Sequence, residues 1–236
     1  MKTLGTLLLA SAAVLVGCGD SSTGTANPAP QDSGTAVIDA GAADTGAPEA
    51  DAGAAPADTG PSYPAGTYGS SVGALLRPFQ LTACNREGEE ANWDFAGNGF
   101  FGARLTLISI AAGWCVPCQN ETMQIEREVV QRYADRGVRV VQLLVQNPDR
   151  SAVTPAFCRT WANRYNLTIP ELMDPTFITQ PFVPNTAFPG NVIVDNCGRI
   201  RWREYGSDRG LASIRNAIEE VLADPRYEYP NCPTDE

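Results

Sequence analysis

The chain contains no histidine, and its only lysine is Lys2. Acid–base chemistry therefore has to rest on carboxylates, thiols, hydroxyls or water. A zinc site is short of ligands, with no histidine and no second Cys-x-x-Cys pair. Covalent haem attachment needs a histidine directly after such a pair, and Gln119 stands there instead. Positive charge is scarce too: the formal net charge is −10, and nothing suggests a nucleic-acid partner. Apolar runs are short. The longest, residues 3–17, is below a comfortable membrane span and fits the apolar core of a secretion signal behind Lys2.

That run ends in Leu15-Val16-Gly17-Cys18, which resembles a bacterial lipobox. The resemblance implies a signal peptide over 1–17 and a lipidated Cys18 as the first mature residue, anchored in the cell envelope on the periplasmic face of a membrane. Gly19, rather than Asp, favours the outer membrane. Residues 19–62 are mostly Ala, Gly, Pro, Thr, Ser and Asp, without aromatics, Lys or Arg. Such a composition cannot offset its ordering entropy, so 18–62 reads as the lipidated cysteine followed by a disordered tether. Seven of the chain's 27 acidic residues fall there, which leaves the remainder, 63–236, only mildly acidic and long enough for one core.

In that remainder, "RPFQLTAC" (77–84) alternates like a strand, and a turn at Gly88 follows. "RLTLISIAA" (104–112) and "VRVVQLLVQ" (138–146) are continuous apolar runs, as buried strands require. Between them, 118–137 carries apolar residues at helical spacing and stops at Gly137. Residues 154–167 read as a helix with Thr154 as N-cap and Pro155 first. Residues 191–206 read as a hairpin around Asn196-Cys197-Gly198, and 211–224 as an amphipathic helix closed by Pro225. The order predicts an α/β fold: a mixed sheet with helices on its faces and an N-terminal hairpin extension.

"GWCVPCQNE" joins the first buried strand to the helix after it. Trp114-Cys115-Val116-Pro117-Cys118 with Glu121 is similar to the W-C-x-P-C-x-x-E of the TlpA/ResA-like thioredoxin-fold oxidoreductases, membrane-anchored members of the redoxin superfamily. Pro189, followed by the strand "GNVIVD", is similar to that family's cis-proline motif, and "DNCGRI" to the hairpin after it. The similarity spans roughly residues 75–222. Gly190 and Asn191 depart from the usual Thr pair after the proline. Ser109 stands where cytoplasmic thioredoxins carry a buried Asp, so that proton shuttle is missing there.

Disulfide exchange needs a thiolate, and a helix N-terminus favours one. Cys115 is the expected exposed nucleophile and Cys118 the resolving thiol. Pro117 fits a first helical turn, where its missing N–H is no loss. Glu121 lies on nearly the same helix face as Cys118, where it either tunes the thiols and carries protons or is a solvated first-turn acid. Trp114 either contacts substrate or is plain core. The resemblance implies a cis bond before Pro189, with Phe188 offering backbone groups to an extended substrate peptide; Pro184 is a rival that starts no strand. The alternatives are a binding module with a static Cys115–Cys118 disulfide, or a redoxin-type peroxidase. The peroxidase needs Thr three residues before its cysteine, where Ala112 stands.

Cys84, Cys158, Cys197 and Cys232 remain, an even number that suggests two staples in an oxidising compartment. Three pairings are open. One is expected to pin the tail through Cys232, unless one of the four is a further redox thiol. No cofactor or metal is implied. The implied partners are protein disulfides and dithiols as substrates, and an upstream membrane electron donor.

Overall fold

The structure, a computed structural model, describes residues 63–97, 102–206 and 210–225. The signal, Cys18, the tether and Cys232 lie outside these. A single sheet carries the strands β1 (Gln80–Ala83), β2 (Asn92–Asp94), β3 (Leu105–Ala111), β4 (Val138–Leu144), β5 (Glu171–Met173), β6 (Gly190–Asp195) and β7 (Ile200–Tyr205). Their order across it is β2-β1-β5-β4-β3-β6-β7. β3, β4 and β5 run parallel, whereas β6 and β7 on one side and β1 and β2 on the other are antiparallel to their neighbours. This is the predicted mixed sheet with its N-terminal hairpin.

Every residue of β3 and of β6 is buried, which accounts for their mostly apolar sequences; Thr106, Ser109, Asn191 and Asp195 are the polar exceptions. The helix after β3 has Pro117 in its first turn, as predicted. α1 (Val116–Ile125) starts directly behind Cys115 and passes through a π-helical turn, Glu126–Val130, into α2 (Gln131–Tyr133). Glu126, in that turn, accepts from the Thr168 hydroxyl at 2.9 Å and ties the helix to the loop before β5. Gly137, at φ 78°, ends it as predicted.

α3 (Pro155–Tyr165) has the predicted start: Thr154 Oγ1 accepts from the Phe157 N–H at 3.3 Å, and Pro155 opens the helix. The β6–β7 hairpin turns on Asp195, whose Oδ1 accepts from the N–H groups of Cys197 and Arg199, both at 2.9 Å. α4 (Leu211–Ala223) matches the last predicted helix and packs beside α1. β5 was not anticipated. Three residues are too few for a periodic signal, and its place is set by pairing with β1 and β4. One staple is Cys84–Cys158, which joins the end of β1 to α3. Cys197 is disulfide-bonded as well, and the expected pin through Cys232 lies outside the described residues.

Candidate active site

Cys115 and Cys118 form a disulfide at the point where β3 hands over to α1. Gly113 N–H donates to the Gln146 carbonyl at 2.8 Å and Cys115 N–H to the Ala112 carbonyl at 3.0 Å, which turns the chain sharply. Cys115 is the N-cap of α1: its sulfur accepts from the Cys118 N–H at 3.1 Å. A sulfur in that place faces the helix's positive end, which favours its thiolate after reduction. Pro117 occupies the first turn and is exposed.

Cys115 is not the exposed group that was expected; only 3% of its surface is accessible. Bonded to Cys118 and turned in to cap the helix, its sulfur is drawn toward the core, and the exposed residues of the motif are Val116, at 62%, and Pro117.

Trp114 is half-buried, and three contacts fix it. Its Nε1–H donates to Gln146 Oε1 at 2.8 Å, its ring meets Phe188 edge-on with centroids 5.6 Å apart, and the Arg150 guanidinium lies 3.9 Å from its ring centre. Phe177 stacks on the other aromatic of the pair, 5.8 Å from Phe188. The Phe188–Pro189 peptide bond is cis. Because Gly190 pairs with Ile110, that turn sits at the end of β3 that leads to the cysteines. Phe188 was expected to offer backbone groups to an extended substrate peptide. Its N–H is in fact donated to the Thr186 carbonyl at 3.0 Å, so its carbonyl is the group left for pairing.

Glu121 is not a solvated first-turn acid: it is 5% exposed. Its Oε1 accepts from Ser109 Oγ at 3.3 Å and its Oε2 from Asn191 Nδ2 at 3.2 Å. Burial pushes its pKa up to about 7, a rise that the bonds from Asn191 and Ser109 reduce and the nearby Glu204 adds to. The Ser109 hydroxyl can donate to the carboxylate or accept from the acid, so both protonation states are served.

Ser109 and Asn191 are thus site residues that sequence reasoning recorded only as departures. They belong to a buried polar row. Asn191, Ser109, Gln142 and Glu171 are register partners across β6, β3, β4 and β5, all on one face of the sheet. Gln142 bonds Thr122 of α1 and Trp161 of α3 through the same side chain. Glu171 ends the row with neither carboxyl oxygen bonded, and burial holds its pKa well above the usual range. The polar letters were visible in each strand; their alignment depends on register, which a single strand does not encode.

A family model described as Redoxin matches residues 71–218, most of the chain. The chain belongs to the Redoxin family. Solved structures share the fold. A secreted thiol-disulfide isomerase from Corynebacterium glutamicum is 18% identical, with a TM-score of 0.50 over 63% of this chain and 86% of that one. A DsbF homologue from Corynebacterium diphtheriae is 16% identical, with a TM-score of 0.51 over 66% and 91%. An uncharacterized conserved protein from Geobacillus kaustophilus is 17% identical, with a TM-score of 0.53 over 69% and 87%. Comparison with curated proteins gives no match. Redoxin membership and the thioredoxin-like fold agree with the resemblance read from the motifs.

Proposed function

We propose that this redoxin is an extracytoplasmic thiol–disulfide oxidoreductase that reduces protein disulfides through Cys115 and Cys118. The observation that carries the reading is the buried Glu121, poised near neutrality, one helical turn beyond a cysteine pair at a helix N-terminus. The Cys115 thiolate attacks a substrate disulfide, forming a mixed disulfide and releasing the first substrate thiolate. Cys118 then passes its proton to the Glu121 carboxylate and attacks the Cys115 sulfur. The second substrate thiolate leaves, and two electrons have moved from the protein to the substrate. The chemistry needs no cofactor. Trp114 and the exposed Val116 give the substrate an apolar rim, Pro117 holds the turn, and Phe188 and Pro189 lay the peptide alongside through the Phe188 carbonyl. A membrane dithiol donor restores the pair. Lipid on Cys18 anchors the domain, through the tether, to the periplasmic side of the outer membrane.

Replacing Cys118 by Ser leaves the mixed disulfide without its resolving thiol. Cys118→Ser protein is expected to carry substrate covalently on Cys115, released by dithiothreitol and absent from Cys115→Ser. No trapped partner, together with no reduction of a model disulfide by the wild type, would overturn the reading. Palmitate labelling that persists in Cys18→Ser would sink the anchor. The burial of both sulfurs favours one second reading, a binding module with a static disulfide. A potential too low for thiol buffers to reach would support it.

A further inference from the structure

The loop between β4 and α3 is built to hold one side chain in one place. Asn147 N–H donates to the Ser151 carbonyl at 2.9 Å, and Arg150 N–H to the Asn147 carbonyl at 3.0 Å. Asn147 Nδ2 donates to Ser151 Oγ and to the Ala152 carbonyl, both at 2.9 Å, and Asn147 Oδ1 accepts from the Thr154 N–H at 3.2 Å. Arg150 sits in that turn at φ 69°, a conformation that costs a non-glycine residue free energy. The outcome is that its guanidinium lies over the ring of Trp114, 3.9 Å from the ring centre, beside Cys115.

Some arginines are matched to carboxylates, Arg136 to Glu219, Arg201 to Asp195 and Asp224, and Arg215 to Glu128, and others, such as Arg203, to backbone carbonyls. Among the described residues no carboxylate pairs with Arg150. Asp149, its neighbour, accepts from the Ser151 N–H at 3.0 Å and hydroxyl at 2.6 Å. An exposed guanidinium held over an indole has its donors available to solvent and loses little further freedom when it binds an anion. It stands on the rim that also contains Trp114 and Phe188.

We propose that Arg150 determines specificity by selecting disulfide substrates that carry an acidic side chain beside the attacked cysteine. The inference rests on the oxidoreductase reading. A peptide paired with the Phe188 carbonyl, its disulfide over Cys115, brings an adjacent side chain past Trp114 to the guanidinium edge. A carboxylate there gains a charge-assisted bond; a lysine meets like charge.

The test uses three disulfide-linked peptides that differ only in Asp, Asn or Lys beside the cysteine. The second-order rate constant for peptide reduction is measured in single turnover at low and high salt with the pre-reduced wild type, Arg150→Gln and Arg150→Lys. The wild type is expected to favour Asp over Asn by about two- to five-fold at low salt, the scale of an exposed ion pair, and to lose the preference at high salt. Arg150→Gln removes the preference, while Arg150→Lys retains part of it. An Asp-to-Asn ratio that is the same in the wild type and Arg150→Gln overturns the proposal and leaves Arg150 as packing for Trp114. A wild type that reduces none of the three peptides overturns the oxidoreductase reading, and this proposal with it.

Discussion

Glu121 is a carboxyl group in a place where ionisation is costly, and that is its use. Its pKa of about 7 lets it hold a proton or give it up at the pH where thiols exchange. The rate of disulfide reduction should bend near pH 7, and Glu121→Gln should remove that bend while the protein stays folded; a pH–rate profile of both proteins decides it. Stability follows with a definite sign. The folded value lies above the ordinary one, so the unfolded chain ionises first. Stability is therefore lost as pH rises from the ordinary value of 4.5 to about 7. The full loss is about 3 kcal/mol above that window. Urea unfolding at pH 5 and pH 8 should show a smaller difference for Glu121→Gln than for the wild type. The residue's helix face could be read from its spacing to Cys118. Its burial could not, because Ser109 and Asn191 reach it from two strands far apart in the chain.

At the scale of elements, the site is a strand end, a helix start and a turn brought to one edge. The strand and the helix were legible because each repeats a period: continuous burial in β3, and 3.6-residue spacing with Gly137 as stop in the helix. The π-helical turn and β5 carry no such period. Gly190 shows why the position after Pro189 is not the usual Thr. A Cβ there would stand 2.3 Å from Val183 Cγ1 and 3.4 Å from the Phe182 carbonyl oxygen. Gly190→Ala should destabilise the domain by about 1–3 kcal/mol through overpacking. A thermal midpoint equal to the wild type's would contradict that contact.

For the whole molecule, the cysteines divide by place. Cys84–Cys158 closes a 74-residue separation between the N-terminal hairpin and α3, a span that contains the pair at the start of α1. Limiting the unfolded chain over that span contributes about 4 kcal/mol at most. Cys84→Ala with Cys158→Ala should lower the denaturant midpoint markedly, and an unchanged midpoint would show that the bond adds nothing. The same double variant should keep its Cys115–Cys118 chemistry.

The sequence by itself determined the class of sheet, the order of its main elements and the place of the Cys115–Cys118 pair between a buried strand and a helix, because periodicity, caps and the Trp-Cys-x-Pro-Cys motif are local signals. It also made imidazole chemistry impossible. Only the tertiary structure decided that Cys115 is sheltered, that Glu121 is buried, that Arg150 covers Trp114 and that Cys84 pairs with Cys158. Those outcomes depend on strand register and on which loops meet over the sheet, and contacts between residues distant in the chain set both.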